Sequence, residues 1–71
     1  MGNMSIEQRD AIIERISRYE RNSDEALRDG GEQAEALFDY WNGRKWAFIA
    51  GMVVAGLFES EQEFIRWWID R

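Results

Sequence analysis

The ionisable and nucleophilic side chains of this chain leave few routes to catalysis. Its 71 residues include no His and no Cys, which excludes a Ser–His or Cys–His nucleophile, an imidazole or thiolate metal site and a disulfide framework. Carboxylates, two Tyr, four Ser and one Lys remain, and no carboxylate pair has a context that indicates general acid–base chemistry. We therefore expect a protein that is not an enzyme and holds no cofactor or metal.

A row of carboxylates is the first candidate for binding chemistry. Glu32, Glu35 and Asp39 are three and four residues apart, so they share one face of a helix. Such a face can dock on a basic protein surface in the manner of a phosphate row, because complementary charge speeds association and sets register. The alternative is an ordinary solvated helix face. We take these acids, with Tyr40 and Trp67 as exposed aromatic anchors, as the candidate partner-binding residues.

Arginines on the first predicted helix are the second candidate. They share one side of it, where they could meet a phosphate or an acidic partner, and they are Arg15, Arg18, Arg21 and Arg28. Interleaved Glu14 and Asp24 neutralise much of that charge, so a solvated, salt-bridged face is the favoured interpretation. A net charge of −5 also argues against direct nucleic-acid binding, which needs clustered Lys and Arg.

The first helix is predicted from its cap and its apolar spacing. Ser5 and Gln8 have the spacing of a capping box. Residues on one face at helical spacing follow, interrupted by Arg9 and Glu20, and they are Ile6, Ile12, Ile13, Ile16, Tyr19, Ser23 and Leu27. Asp29-Gly30-Gly31 is the strongest breaker in the chain. We expect one helix from Ser5 to about Arg28, followed by a turn.

Three shorter helices are predicted after that turn. The second runs from about Glu32 to Trp41 and ends at Asn42-Gly43, where glycine permits a left-handed cap. The third covers the charge-free residues 46–58. The fourth begins at Ser60, whose spacing to Glu63 is again that of a capping box. Its apolar stripe leaves Trp67 to one side, whereas Trp41, Trp46 and Trp68 are expected in the core.

The charge-free residues 46–58 are the most unusual segment. Thirteen helical residues span roughly 20 Å, which is short of the roughly 30 Å hydrocarbon core of a bilayer. A helix that is apolar all round is normally central and buried. Ala47, Gly51 and Ala55 recur every four residues, a pattern that lets another helix approach closely. We expect this row to pack against the first helix or to form the seam of a homodimer.

The expected fold is an all-α bundle of about four helices. Residues 1–4 are taken as a leader and residues 5–71 as one helical domain, with the charge-free helix at its centre. A chain this short has a marginal core, and self-association is a common remedy. We therefore favour a homodimer, with a monomer as the alternative.

The expected function follows from charge and composition. We predict a small, acidic, non-catalytic cytoplasmic protein that binds, and inhibits or regulates, a protein with a basic surface. A short, acidic, Cys-free and aromatic-rich profile is typical of inhibitors encoded by phages and mobile elements against host defence, although this is an analogy of profile. The alternatives are a helical self-assembly module and a peripheral membrane protein, for which Arg44 and Lys45 would precede an apolar anchor.

Overall fold

The computed structural model describes residues 4–71, and these form an all-helical fold. Helix α1 spans Ile6–Asp29, a 3-10 turn covers Gly31–Gln33, α2 spans Ala34–Val54 and α3 spans Glu61–Asp70. Helices α1 and α2 pack as an αα-hairpin, and α3 packs back against α2. The all-α prediction is confirmed, whereas the described residues form three α-helices and not the expected four.

Helix α1 begins at the predicted cap. The backbone N–H of Gln8 donates to Ser5 Oγ, and the N–H of Ser5 donates to Gln8 Oε1, both at 3.1 Å. The buried residues recur every three or four positions and are Ile12, Ile16, Tyr19, Ser23 and Ala26. This spacing is that of a narrow helix–helix seam. Ile6 and Leu27, which were predicted on the same face, lie beside that seam and are exposed.

The predicted break at Gly30-Gly31 is confirmed. Gly31 has φ = 58°, a left-handed conformation that glycine adopts without steric cost. Gly30 lies so close to the carbonyl of Ala26 and to Ala34 that a Cβ there would overlap backbone atoms. The two glycines therefore permit the tight reversal that brings α2 back along α1.

The predicted helix end at Asn42-Gly43 is wrong, because α2 continues through both residues. Glycine inside a helix costs only about 1 kcal/mol relative to alanine. Packing on both sides of Gly43 offsets that cost: the ring of Tyr19 lies 6.4 Å from that of Trp41 and 6.3 Å from that of Phe48. The second and third predicted helices are therefore one helix.

The end of α2 lies at a glycine that the sequence prediction placed inside the helix. Gly56 has φ = 86°; its N–H donates to Val53 O, and the N–H of Leu57 donates to Met52 O, both at 3.0 Å. These two bonds form a Schellman motif. Phe58 then leaves the helix and enters the core, where its ring lies 5.3 Å from that of Phe64.

The charge-free segment is covered on one side only. Ile49 and Met52 point into the core with residues of α1, α3 and the α2–α3 connection; the core comprises Ile12, Ile16, Ile49, Met52, Phe58 and Phe64. Ala47, Gly51 and Val54 face outward, and Val54 is 90% exposed. The expectation that this helix is buried all round is therefore wrong for the single chain, whereas α2 is the helix that contacts both α1 and α3. The homodimer remains a prediction.

The N-terminal leader is partly placed. Met4 is half-buried and packs against the core, so it contributes to the domain. Residues 1–3, the rest of the predicted leader, lie outside the described residues.

Candidate protein-binding surface

The predicted acidic row is exposed and lies at one end of α2. Glu32 is in the 3-10 turn, and Glu35 and Asp39 are in the first two turns of α2. Within residues 4–71, none of the three forms an ion pair. Positions 35, 39, 42 and 46 follow one another at intervals of four, three and four residues, so they share one side of the helix. The acids therefore lead along α2 to Asn42 and Trp46.

Trp46 borders an apolar depression between the three helices. The depression has a volume of about 230 Å³. Residues of all three helices line it, and the apolar ones are Ile16, Trp46, Ile49, Phe64, Ile65 and Trp68. Trp46 and Ile65 are 36% and 40% exposed, so the walls are open to solvent. We call this depression the apolar socket; it has room for a bulky apolar side chain.

An ion pair borders the socket on the side of the acids. Lys45 Nζ lies 3.9 Å from Glu20 Oε2 and 5.3 Å from the centroid of the Trp46 ring. The Lys45 side chain is only 19% exposed. Beyond the pair, a polar depression of about 280 Å³ is lined in part by Asp24 and Asn42. The acidic row, the polar depression and the socket thus form one continuous surface.

The two predicted aromatic anchors lie elsewhere. Tyr40 is 53% exposed but faces the other side of α2, where Arg44 Nη1 donates to its hydroxyl at 3.3 Å. Trp67 is half-buried, with its ring 5.4 Å from Phe58 and 5.8 Å from Phe64. The structure therefore does not bring Tyr40 or Trp67 together with the acids.

The three predicted self-association residues lie along the outward side of α2 and just beyond its end. Ala47, Gly51 and Ala55 are exposed, and no atom from outside the adjoining turns of α2 lies within 4 Å of where a Cβ of Gly51 would be. The contact with the first helix, one of the two alternatives for this row, is not present. This leaves the row open to a second chain.

Hydrogen bonds from arginines shift the pKa values of two side chains of α1, Glu14 and Tyr19. Arg18 Nη2 donates to Glu14 Oε1 at 2.8 Å, and this bond lowers the pKa of the Glu14 carboxyl. A hydrogen bond from Arg15 lowers the pKa of the Tyr19 phenol, an effect that burial opposes.

Residues 4–71 contain no grouping of three acidic side chains placed to hold a metal ion. Each helix in that part of the chain is too short or too polar to cross a bilayer.

Sequence reasoning missed the socket and its bordering ion pair. One signal was present: Glu20 interrupts the apolar face of α1, which is the position where a charged residue needs a partner. That partner, Lys45, and the far wall formed by Ile65 and Trp68 become neighbours only when α2 and α3 fold back. The spacing of residues along one helix does not contain this information.

Comparisons with other proteins add no family. No protein-family model matches this chain, and neither the curated proteins nor the solved structures include a match to it.

Proposed function

We propose that this chain is a non-catalytic protein that binds another protein and inhibits or regulates it by covering a basic surface. The observation that carries the proposal is the continuity of the acidic row with the apolar socket. Glu35, Asp39 and Trp46 share one side of α2, and the socket begins at Trp46. A charged approach surface that leads to a pocket for one bulky side chain is a common arrangement in protein interfaces.

The two parts of the surface have different roles in this proposal. The acids attract and orient a basic partner, and their contribution weakens as salt screens it. The socket takes up a bulky apolar side chain of the partner, because burial of apolar area supplies affinity that does not depend on salt. The partner thus presents Lys or Arg residues beside an exposed Leu, Phe, Trp or Met. Steric occlusion of that basic surface is the mode of inhibition, and the cytoplasm is the proposed compartment.

Reversal of the acidic row tests the electrostatic part. The matched control reverses three exposed acids elsewhere, so both variants gain the same charge. The test variant carries Glu32→Lys, Glu35→Lys and Asp39→Lys, and the control carries Asp10→Lys, Glu59→Lys and Asp70→Lys. In affinity capture from the source cells, we expect wild type and control to retain a common protein that salt elutes, and the test variant to lose it. Equal retention by all three chains, with the same salt dependence, would falsify the electrostatic role.

A single change in the socket tests the apolar part. Ile65→Ser removes apolar wall without touching the acids, and Ile69→Ser, at a 72% exposed position outside the socket lining, is its control. We expect Ile65→Ser to speed dissociation of the captured partner and the control to leave it unchanged. If both variants dissociate alike, the socket has no part in binding.

Self-association is a second candidate function, favoured by the bare outward face of α2. Ala47, Gly51 and Val54 expose a charge-free surface, and small residues at this spacing allow two helices to approach closely. In that case helical assembly is itself the role of the protein. Sedimentation equilibrium distinguishes the candidates, since a chain that stays monomeric at micromolar concentration does not act by assembly.

A further inference from the structure

A second depression lies on the opposite side of the α1–α2 pair from the socket. Its volume is about 410 Å³, within the range of about 300–1,000 Å³ that small-molecule sites occupy. Arginine, tyrosine, asparagine and tryptophan side chains from both helices line it, and its lining includes no carboxylate. This composition is unexpected in a chain of net charge −5.

Two arginines from different helices converge on this depression. Arg15 of α1 donates from Nη1 to the Tyr19 hydroxyl at 3.5 Å, and Arg44 of α2 donates to the Tyr40 hydroxyl at 3.3 Å. Neither arginine forms an ion pair with a described residue, whereas Arg18, at the same depression, is paired with Glu14 at 2.8 Å. Two guanidinium groups held near each other without a carboxylate create a local excess of positive charge.

The phenol of Tyr19 interacts with both arginines. Its pKa is lowered, first by the hydrogen bond from Arg15 and also by Arg44, against the opposing effect of burial. A field that favours the phenolate also favours any other anion in the same place. Guanidinium groups suit phosphate oxygens in particular, because their N–H donors can bind two oxygens at once.

Aromatic and amide groups adjoin the arginines. The half-buried ring of Trp41 stands edge-on to Tyr40, with ring centroids 5.0 Å apart, so an aromatic wall borders the depression. All four nucleobases can stack on such aromatic rings, because each base has a flat π-face. Asn22 also lines the depression, and an Asn amide can pair with the edge of a base. A phosphate and a planar ring can thus be held side by side.

We propose that this depression binds a nucleoside monophosphate, with the phosphate between Arg15 and Arg44 and the base against Trp41. A polynucleotide is disfavoured, because Glu25 and Asp29 line the adjoining depression, which also includes Trp41, and would repel neighbouring phosphates. A small dianion meets the two arginines without extending onto these acids. This proposal does not depend on the acidic row or the socket.

Calorimetric titration of the full chain with AMP tests the proposal, with adenosine and inorganic phosphate as separate ligands. We expect saturable binding of AMP, and binding of adenosine and of phosphate each at least about tenfold weaker, since each lacks one of the two contacts. Arg15→Gln and Arg44→Gln should each weaken AMP binding about tenfold, the typical effect of losing one charged hydrogen bond. Arg28→Gln, which makes the same charge change outside the depression, should leave AMP affinity within about twofold.

Several results would overturn the proposal. Absence of AMP binding at millimolar concentration rejects the site outright. Phosphate binding as tightly as AMP rejects the role of the base, and adenosine binding as tightly rejects the role of the arginines. If Arg28→Gln and Arg15→Gln weaken AMP binding equally, AMP responds to the overall charge of the protein and not to this depression. A single-stranded oligonucleotide or a phosphotyrosine peptide that binds more tightly than AMP contradicts the choice of ligand. Circular dichroism confirms that each variant is as helical as the wild type.

Discussion

Tyr19 of α1 packs against both halves of α2. Its ring lies near Trp41 and Phe48, and its backbone carbonyl accepts a hydrogen bond from Ser23 Oγ at 3.0 Å. That bond explains how a serine is accommodated on the buried seam, since a buried hydroxyl without a partner is costly. The position of Ser23 on this face was predicted correctly from helical spacing alone.

The titration of Tyr19 gives a residue-level prediction. The Tyr40→Phe variant retains Tyr19 as its single tyrosine, so the absorbance of tyrosinate measures the ionisation of Tyr19 alone. Because Arg15 lowers its pKa, we expect a midpoint below the usual value of about 10, and a higher midpoint when Arg15→Gln is added. The pKa falls on folding, so this group adds stability above the unfolded pKa, and that gain is lost as pH falls through the folded pKa. If Arg15→Gln does not raise the titration midpoint of Tyr19, the hydrogen bond between Arg15 and Tyr19 is contradicted.

Single residues of the candidate site were predictable to different degrees. The exposure of Glu35 and Asp39 follows from their shared face of α2, whereas Glu32 is exposed in the 3-10 turn that precedes this helix. The exposure of Trp46 could not be predicted in this way. A tryptophan beside an apolar run is ordinarily expected in the core, whereas Trp46 lies at the rim of the socket and is 36% exposed. Its exposure arises because α3 packs over Ile49 through Phe64 but leaves part of the Trp46 side chain open to solvent.

Glycine substitutions in α2 give a prediction for the element. The same change, Gly→Ala, should have opposite signs at two positions. Gly43→Ala should raise the free energy of unfolding by about 0.5–1 kcal/mol, because Gly43 is inside a helix with open space where the Cβ would lie. Gly56→Ala should lower it by about 1–2 kcal/mol, because φ is 86° there. Urea denaturation measures both, and effects of the same sign would contradict the boundaries of α2.

The elements differ in how far local sequence determines them. Helix α1 and the start of α3 carry side-chain caps: Ser5 and Gln8 form the complete predicted capping box, and at α3 the Ser60 hydroxyl accepts from the N–H of Glu63 at 3.2 Å, the serine half of the predicted box. The course of α2 required tertiary information, because the sequence favours a helix end at Asn42-Gly43, whereas the helix ends before Gly56. Aromatic packing against Tyr19 keeps the helix intact at the first, whereas Phe58 turns into the core after the second.

The whole molecule presents two chemically distinct sides. One side of the α1–α2 pair carries the acidic row and the apolar socket, and the other carries the arginine-lined depression. The all-α class was predictable from helical spacing, but this separation was not, because it depends on which sides of α1 and α2 face each other. The net charge of −5 gives no indication of the arginine-lined depression.

Oligomeric state is a prediction for the whole molecule. If the outward face of α2 joins two chains, Gly51→Leu should shift sedimentation equilibrium from dimer to monomer, because a leucine overfills a close helix contact. The Tm of a monomeric chain should not fall, since Gly51 lies inside α2 with open space at its Cβ position and leucine favours a helix more than glycine does. A wild-type chain that sediments as a monomer removes this face from the function.

Site-specific photo-crosslinking tests the proposed partner-binding surface most directly. A photoreactive amino acid is placed at Asn42, between the acidic row and Trp46, and in a control at Ala11, an exposed residue near the start of α1. We expect irradiation in the source cells to join position 42, and not position 11, to one protein through a segment that carries Lys or Arg beside a bulky apolar residue. Identical products from the two positions, or a partner joined at position 11 alone, would contradict binding at this surface.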